Sequence, residues 1–322
     1  MKRIFILSVL IAFSLNACKD KMEQTDSKAD LDPQNGTQTA PFFDISLAQW
    51  SLHAPMQSGA LSPMHFAKKA ADLNFKGIEY VSQLYTDEIE KLGFQTVVDS
   101  LKAESDKHGI ENVLIMIDHE GDLAASTQEG RDQAVEFHKK WVDAAQALGC
   151  HSVRVNLFGE KDREAWKKAS VDGLSKLSAY AKTKNINVLV ENHGELSSNA
   201  ALVVEVIQAV NMDNCGTLPD FGNFCLERED GERWGTPCVK EYPIYQGIQE
   251  MMPFAKAVSA KAYNFDTEGQ ETKLDYQRIL QIIKEAGYRG YIGIEYEGDL
   301  ADPIEGINRT RDLLLTAAQK LK

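Results

Sequence analysis

A single-domain α/β fold, the (β/α)8 (TIM) barrel, is what this sequence predicts, and three observations carry the prediction. Eight short apolar runs can be marked, at residues 43–52, 77–82, 111–117, 152–157, 187–191, 216–220, 257–263 and 291–295. Their starts recur about every 30–40 residues, the length of one βα unit. Three of them end in an acid with Gly or Asn close behind: Val190-Glu191-Asn192-His193-Gly194, Leu218-Pro219-Asp220-Phe221-Gly222-Asn223 and Ile294-Glu295-Tyr296-Glu297-Gly298. A carboxylate at the C-terminal end of a buried parallel strand is costly unless it is hydrogen-bonded or holds a metal. Three of them on separate strands point to one shared site at the mouth of a barrel. The open alternative for alternating strands and helices is a doubly wound sheet. No glycine-rich dinucleotide or phosphate loop follows the first run, which argues against a nucleotide cofactor.

Taken in chain order, residues 1–17 read as a lipoprotein signal peptide. Met1-Lys2-Arg3 is a basic start, and residues 4–15 form a predominantly apolar run. A bilayer span needs about 20 residues, so this run fits a signal-peptide core instead. Leu15-Asn16-Ala17-Cys18 resembles the bacterial lipobox, whose Cys is lipidated and becomes the mature N-terminus. Residues 18–41 lack aromatics and are rich in Asp, Lys, Gln, Thr and Ser. Such a stretch cannot bury enough apolar surface to fold and should act as a solvated tether. The expectation is a soluble domain lipid-anchored at Cys18, on the periplasmic or outer-membrane face. Losing residues 1–17 removes Lys2 and Arg3 but no acid, which takes the formal charge from −13 to −15. A surface this acidic opposes nucleic acid as a partner.

Residues 42–322 leave about 280 residues, enough for one large core. Ser62-Pro63 reads as an N-cap followed by proline at the first helical position. Between Asp275 and Ala286, Tyr276, Ile279, Leu280 and Ile283 share one helical face, and Gly287 offers a C-cap. Period-2 parity predicts the inward side chains: Leu189, Glu191 and His193 on one run, Leu218 and Asp220 on the next, Gly293 and Glu295 on the last. In the fourth run Arg154 and Asn156 alternate with Val153, Val155 and Leu157, so the polar pair should line the barrel. In the seventh, Ser259, Lys261 and Tyr263 share a face, which sets Lys261 beside the three acids. An extracytoplasmic location permits a disulfide. Cys225 and Cys238 fall in one loop region and are the pair expected to form it, while Cys150 and Cys215 read as buried thiols.

Two facing carboxylates suit proton transfer at carbon next to a carbonyl. Glu191 would take a proton to leave an ene-diolate, and Glu295 would return one from the other side. Return to the same carbon from the opposite face gives an epimerase; return to the adjacent carbon gives an isomerase; loss of a β-substituent gives a lyase or dehydratase. Acid–base steps of this kind contribute on the order of 10²–10⁴-fold each. A divalent ion would stabilise the developing oxyanions.

Beyond these features, residues 43–320 resemble the xylose-isomerase-like TIM barrels, sugar isomerases and epimerases related to the endonuclease IV fold. Leu47-Ala48-Gln49-Trp50-Ser51-Leu52, Glu191-Asn192-His193-Gly194, Pro219-Asp220-Phe221-Gly222-Asn223 and Gly293-Ile294-Glu295-Tyr296-Glu297-Gly298 carry the likeness. The resemblance implies one divalent metal, Mg²⁺, Mn²⁺ or Zn²⁺, held by Glu191, Asp220 and Glu295, with the two glutamates moving the proton. A fourth ligand, a strand-seven histidine, is missing: relatives often read His-x-Lys-Asp where this chain has Ser259-Ala260-Lys261-Ala262. An all-oxygen donor set would shift the preference toward Mg²⁺, Mn²⁺ or Ca²⁺. Alternatively His193 or His119 completes the shell, or the Lys261 ammonium replaces the metal charge. Endonuclease activity is not expected, because the multi-histidine cluster of that enzyme is not reproduced.

Substrate contacts are expected from the rim. Trp50 lies near the end of the first run, His53 follows it and His119 follows the third; His193 and Asn223 stand beside the acids, Asn223 where some relatives carry a substrate-binding His. Packing is the competing role for Trp50 and Phe221, and pairing with an acid for Arg154. Glu297 shares parity with Glu295 and competes as the rim acid. His65, His108, His138 and His151 read as surface or packing residues. A lipid-anchored domain would rarely meet phosphorylated sugars, and no compact Arg/Lys cluster near the strand ends suggests a phosphate clamp. A non-phosphorylated sugar, keto-sugar, inositol or oxidised glycoside is the expected small-molecule partner. A non-catalytic sugar-binding lipoprotein is the competing class.

Overall fold

A computed structural model describes residues 40–321. The signal peptide, Cys18 and the tether up to residue 39 lie outside the described residues. Ten strands occur in chain order: β1 (Asp44–Ala48), β2 (Gly77–Val81), β3 (Glu111–Met116), β4 (Ser152–Val155), β5 (Asn187–Glu191), β6 (Cys215–Leu218), β7 (Cys225–Arg228), β8 (Cys238–Glu241), β9 (Val258–Ala262) and β10 (Tyr291–Tyr296). All but β7 and β8 form one parallel sheet, ordered β6-β5-β4-β3-β2-β1-β10-β9. The sheet closes on itself at its two ends. Lys256 N–H donates to the Thr217 carbonyl (3.1 Å), Ser259 N–H to that of Pro219 (3.0 Å) and Phe221 N–H to that of Ser259 (3.1 Å). Pro219 has no N–H to give, which interrupts the ladder at this seam. The seam still pairs Asp220 with Ser259, so the closure itself sets the hydroxyl beside the acid. The fold is the (β/α)8 barrel that the repeat predicts.

Helices cover the outside, among them Gln128–Leu148, Arg163–Thr183, Tyr276–Glu285 and Pro303–Gln319. Local chemistry starts several of them. Asp162 accepts from the N–H groups of Glu164 (3.1 Å) and Ala165 (2.9 Å), and Thr127 Oγ1 from that of Gly130 (3.1 Å), which satisfies donors that a helix start leaves unpaired. Ser62 caps in the same way, though the turn it starts, Pro63–His65, is a short 3-10 helix leading into Phe66–Asp72. In Tyr276–Glu285 the four expected core residues, Tyr276, Ile279, Leu280 and Ile283, are buried, and Gly287 follows with φ +78°.

The first strand is shorter than its sequence run. It gives way after Ala48 to a 3-10 turn, Gln49–Leu52, and the buried Gln49 amide takes over the bonding. Its Oε1 accepts the Val81 N–H (2.8 Å) and its Nε2 donates to the Tyr85 hydroxyl (2.8 Å). A second departure is the antiparallel hairpin β7–β8, inserted after β6 and joined by the Cys225–Cys238 disulfide. Cys150 and Cys215 are buried free thiols.

Inside the barrel Ala48, Val81, Leu114, Met116, Leu189, Leu218 and Ala257 pack together, while the larger apolar layer lies between sheet and helices. One acid is sealed into this interior. Glu79 is fully buried and accepts from Ser46 Oγ (2.6 Å), but its Oε2 finds no hydrogen-bond partner among the described residues. Gly293 makes its room, since a Cβ there would sit 2.4 Å from Glu79 Oε1. Burial pushes the Glu79 carboxyl up to about 8, against the Ser46 hydrogen bond. Its folded pKa lies above the unfolded value, so it binds more protons folded than unfolded at neutral pH. Its contribution is fully present below pH 4.5 and is lost as pH rises through about 8. Glu79→Gln should therefore flatten the fall in stability over this window, whose limiting slope for one proton is about 1.4 kcal/mol per pH unit. Denaturant titrations at several pH values check this; equal slopes in the two proteins would refute it.

Candidate active site

The strand ends supply an acidic centre. Glu191 closes β5 and is 2 % exposed; Glu295, on β10, is 4 % exposed; Asp220, two residues past β6, is fully buried. One carboxylate oxygen from each lies within 4.8 Å of the others. Parity explains the convergence, because Leu218 pairs with Glu191 in register and Asp220 follows two residues later on the same face. The turn carrying Asp220 is fixed by the Asn192 side chain. Its Oδ1 accepts the Asp220 N–H (2.7 Å), and its Nδ2 donates to the carbonyls of Asp220 (3.0 Å) and Asn223 (3.1 Å).

Each acid has a distinct set of partners. Glu191 Oε2 stands 2.7 Å from Arg154 Nε, and Oε1 accepts from Asn223 Nδ2 (3.0 Å). Asp220 Oδ1 accepts the N–H groups of Gly222 and Asn223, both at 2.8 Å. Ser259 Oγ lies 2.7 Å from Asp220 Oδ2 and 3.0 Å from Glu295 Oε2, yet a hydroxyl has one proton to donate. Lys261, 1 % exposed, places Nζ 2.9 Å from Glu297, 3.1 Å from Glu295 and 3.9 Å from Asp220. In-register pairing of Lys261 with Glu295 puts them side by side.

A second network borders the first. Arg154 Nη1 and Asn156 Nδ2 both donate to Asp118 Oδ1, at 2.9 and 2.6 Å. Burial opposes ionisation of Asp118, but Arg154, His193 and the Asn156 hydrogen bond together outweigh it and hold the carboxyl below its usual value. An ionised Asp118 only accepts, so it fixes the Asn156 amide with Oδ1 toward His193 Nδ1 (2.8 Å). His193 then carries its proton on Nδ1 and leaves Nε2 as the acceptor for a ligand. Burial, and Arg154 after it, push its pKa down to about 3, so the ring is neutral.

Both networks open on a cavity of about 510 Å³, lined among others by Trp50, His119, Asn156, Phe158, His193, Asn223, Trp234, Glu295 and Glu297. Small-molecule sites measure roughly 300–1,000 Å³. His53 is not part of the lining: it stacks on Trp50 (centroids 4.3 Å apart, 12° between planes) and its Nδ1 bonds the Trp50 carbonyl at 2.6 Å. It supports the wall instead of facing the ligand space. Phe221 is buried edge-on to Tyr276, a packing role. Arg154 does pair with acids, both Asp118 and Glu191. His138 is buried in its helix with Nδ1 on the Ala134 carbonyl (2.7 Å), and it also reaches the cavity. Asp118, Phe158 and Trp234 are site residues that the sequence reading did not pick out. Asp118 carried the same signal as the other acids, an apolar run ending in a carboxylate; Trp234 carried none.

The donor set suits a hard divalent cation. Among the described residues, Asp118, Glu191, Asp220, Glu295 and Glu297 pair with Arg154 and Lys261, a formal excess of three negative charges. Burial, then Glu191 and Glu295, raise the Asp220 carboxyl to about 8 against the Lys261 ammonium, and burial also raises Glu191 and Glu295. Glu297 goes the other way, because Lys261 overcomes its burial. Oxygen donors of this kind match Mg²⁺, Mn²⁺ or Ca²⁺, and Glu191, Asp220 and Glu295 would hold the ion. Ligation needs deprotonated carboxylates, so binding near pH 7 should release about one proton per ion and strengthen as pH rises toward 8. Calorimetry with Mn²⁺ in two buffers of different ionisation enthalpy checks this, with Glu191→Gln and Glu295→Gln each weakening binding. Mn²⁺ uptake with no proton release, or uptake unchanged in both variants, would place the ion elsewhere.

The xylose isomerase-like TIM barrel family model matches residues 67–316. Among solved structures, the IOLI protein with a bound zinc atom superimposes with a TM-score of 0.66 at 15% identity, covering 86% of this chain and 99% of that one. The 3-keto-D-glucoside 4-epimerase YcjR from E. coli gives a TM-score of 0.61 at 14% identity, covering 79% of this chain and 94% of that one. At the sequence level, 77 residues are 35% identical to the C-glycoside deglycosidase alpha subunit of Arthrobacter globiformis, 22% of either chain. The match thus spans about a fifth of that relative. With more than half of its length inside the family model, the chain belongs to the xylose isomerase-like TIM barrel family.

Proposed function

We propose that this protein is a carbohydrate isomerase or epimerase. It acts by proton transfer next to a carbonyl on a non-phosphorylated sugar or keto-sugar, outside the cytoplasm and anchored through Cys18. The observation that carries the reading is the convergence of Glu191, Asp220 and Glu295 from three separate strands on one buried point, beside the cavity that Glu295 lines. Family membership and the sugar epimerase among the structural neighbours agree with it.

The chain's own residues divide the work. Burial lifts the Glu191 carboxyl toward the pH at which it can both take and lose a proton, while Arg154 at 2.7 Å and Asn223 at 3.0 Å fix its direction. As Glu191 takes the proton, the C–H electron pair moves toward the carbonyl and gives an ene-diolate. Glu295, bridged to Lys261 at 3.1 Å, returns a proton from the other side, and the ammonium offers positive charge to the developing oxyanion. A bound divalent cation would supply further neutralisation of that anion. His193 accepts from a sugar hydroxyl through Nε2, and His119 and Asn223 border the same space.

Elimination is the second reading. The same ene-diolate can expel a β-substituent, and the stretch shared with a C-glycoside deglycosidase alpha subunit favours it. Epimerisation or isomerisation through a returned proton exchanges substrate hydrogen with solvent hydrogen, whereas elimination releases the β-substituent and leaves an unsaturated sugar. Incubating the protein with a panel of aldoses, ketoses and keto-glycosides in deuterated water should place deuterium next to the carbonyl of at least one sugar. Glu191→Gln and Glu295→Gln should each slow exchange on the order of 10²–10⁴-fold. Binding with neither exchange nor release of a substituent in the wild-type protein would leave a sugar-binding lipoprotein and end the enzymatic reading.

A further inference from the structure

Trp234 is an exposed indole at the mouth of a catalytic cavity. It is one of four large hydrophobic side chains that are exposed among the described residues, at 44 %, and it lines the cavity. A single exposed apolar ring needs no partner by itself; what singles this one out is its place in the cavity lining and the rigidity of its support. The ring belongs to the segment joining β7 to β8, outside the βα repeat, and that segment is rigidly tied. The Cys225–Cys238 disulfide closes its base. Within it, the Arg228 guanidinium donates to the Arg233 carbonyl (3.0 Å) and the Thr236 carbonyl (2.5 Å), and Thr236 Oγ1 donates to Asp230 (2.7 Å). Arg233 fastens it to the barrel: Nε stands 3.1 Å from Glu195, and the guanidinium lies 3.6 Å over the Phe158 ring.

The rings so placed form an aromatic corner: the Trp234 plane stands at 76° to Phe158 and 49° to His193, and those of Phe158 and His193 at 29°. The Trp234 ring is 4.7 Å from His193 and 6.4 Å from Phe158, and Phe158 and His193 are 6.0 Å apart. Gly194 lets the indole approach, since a Cβ there would stand 3.3 Å from it. The corner also has a direction. It begins at half-buried His193, two residues from buried Glu191, and runs outward to exposed Trp234. A single sugar ring seated at the acids meets His193; the indole lies past it, where a second ring would lie. An exposed indole in such a corner can meet a second ring face-on or edge-on, and pairs of rings gain beyond simple burial in either arrangement.

We propose that Trp234 and Phe158 form a subsite for a second ring, and that the substrate is a glycoside, a sugar joined to another sugar or to an aryl aglycone, instead of a free monosaccharide. This rests on the sugar reading above and names its substrate class. It is independent of whether the ene-diolate is reprotonated or loses a substituent.

The test compares methyl and phenyl glycosides of the same sugars, both anomers of glucose, galactose and xylose, binding to the full-length protein by calorimetry. A phenyl glycoside should bind on the order of tenfold more tightly than its methyl partner. Trp234→Ala should bring the ratio close to one, and the double variant Cys225→Ser with Cys238→Ser should lower it. An unchanged thermal midpoint in Trp234→Ala shows that folding is not the cause. Equal affinity of methyl and phenyl partners in the wild-type protein, or a ratio untouched by Trp234→Ala, overturns the subsite while leaving the sugar reading intact. No binding by any member of the series, together with no deuterium wash-in, overturns both.

Discussion

Everything at the barrel mouth depends on how two buried cations are shared among five carboxylates. Lys261 and Arg154 are enclosed by protein, and an unpaired charge there would be prohibitive. Lys261 is bound to Glu297 and Glu295 and approaches Asp220; Arg154 spans Asp118 and Glu191. The two cations divide the rim into halves that meet at the space where the acids face each other. Removing either would strand at least two buried acids, which makes the pair structural as well as functional. Replacing the whole set with apolar residues could yield a sturdier barrel, so the charges are better explained by chemistry than by stability.

Much of this was legible in the sequence because one rule governed it. The strand recurrence gave the fold, and parity along each strand sorted inward from outward residues, so that Arg154, Glu191, Lys261 and Glu295 could be assigned to one face before any coordinates. The Cys225–Cys238 pairing followed from position in one loop and compartment. Parity stops where the strand stops. The run that precedes His53 leaves the β-conformation at Gln49, and the 3-10 turn that replaces it sends His53 against Trp50 and away from the ligand space. Trp234 lies in an insertion with no periodic pattern, and its place is fixed by tertiary ties, an ion pair to Glu195 and a guanidinium over Phe158, that sequence spacing does not encode. Glu79 was hidden for the opposite reason: its run is apolar on both sides, and only the missing side chain at Gly293 reveals the space it needs.

The seam of the barrel gives the site its particular character. Pro219 breaks the ladder and the chain turns into Asp220, whose carbonyl and N–H are claimed by Asn192. That leaves the Asp220 carboxylate facing Ser259 across the closure. Where a histidine would offer a nitrogen to a metal, Ser259 offers one proton to two acids, Asp220 at 2.7 Å and Glu295 at 3.0 Å. A single hydroxyl proton cannot satisfy both. Either one carboxyl is protonated, which agrees with the upward shift of Asp220 to about 8, or a cation lies between them. A bound cation would take the place of that proton at the same oxygen atoms, so proton and metal would compete directly. Ser259 is small enough to permit both, and Lys261, one layer outward on the same face of β9, limits the charge left unbalanced in either. A serine here in place of a histidine would therefore alter how firmly the site could hold a cation, while leaving Glu191 and Glu295, the groups proposed to move protons, where the barrel puts them.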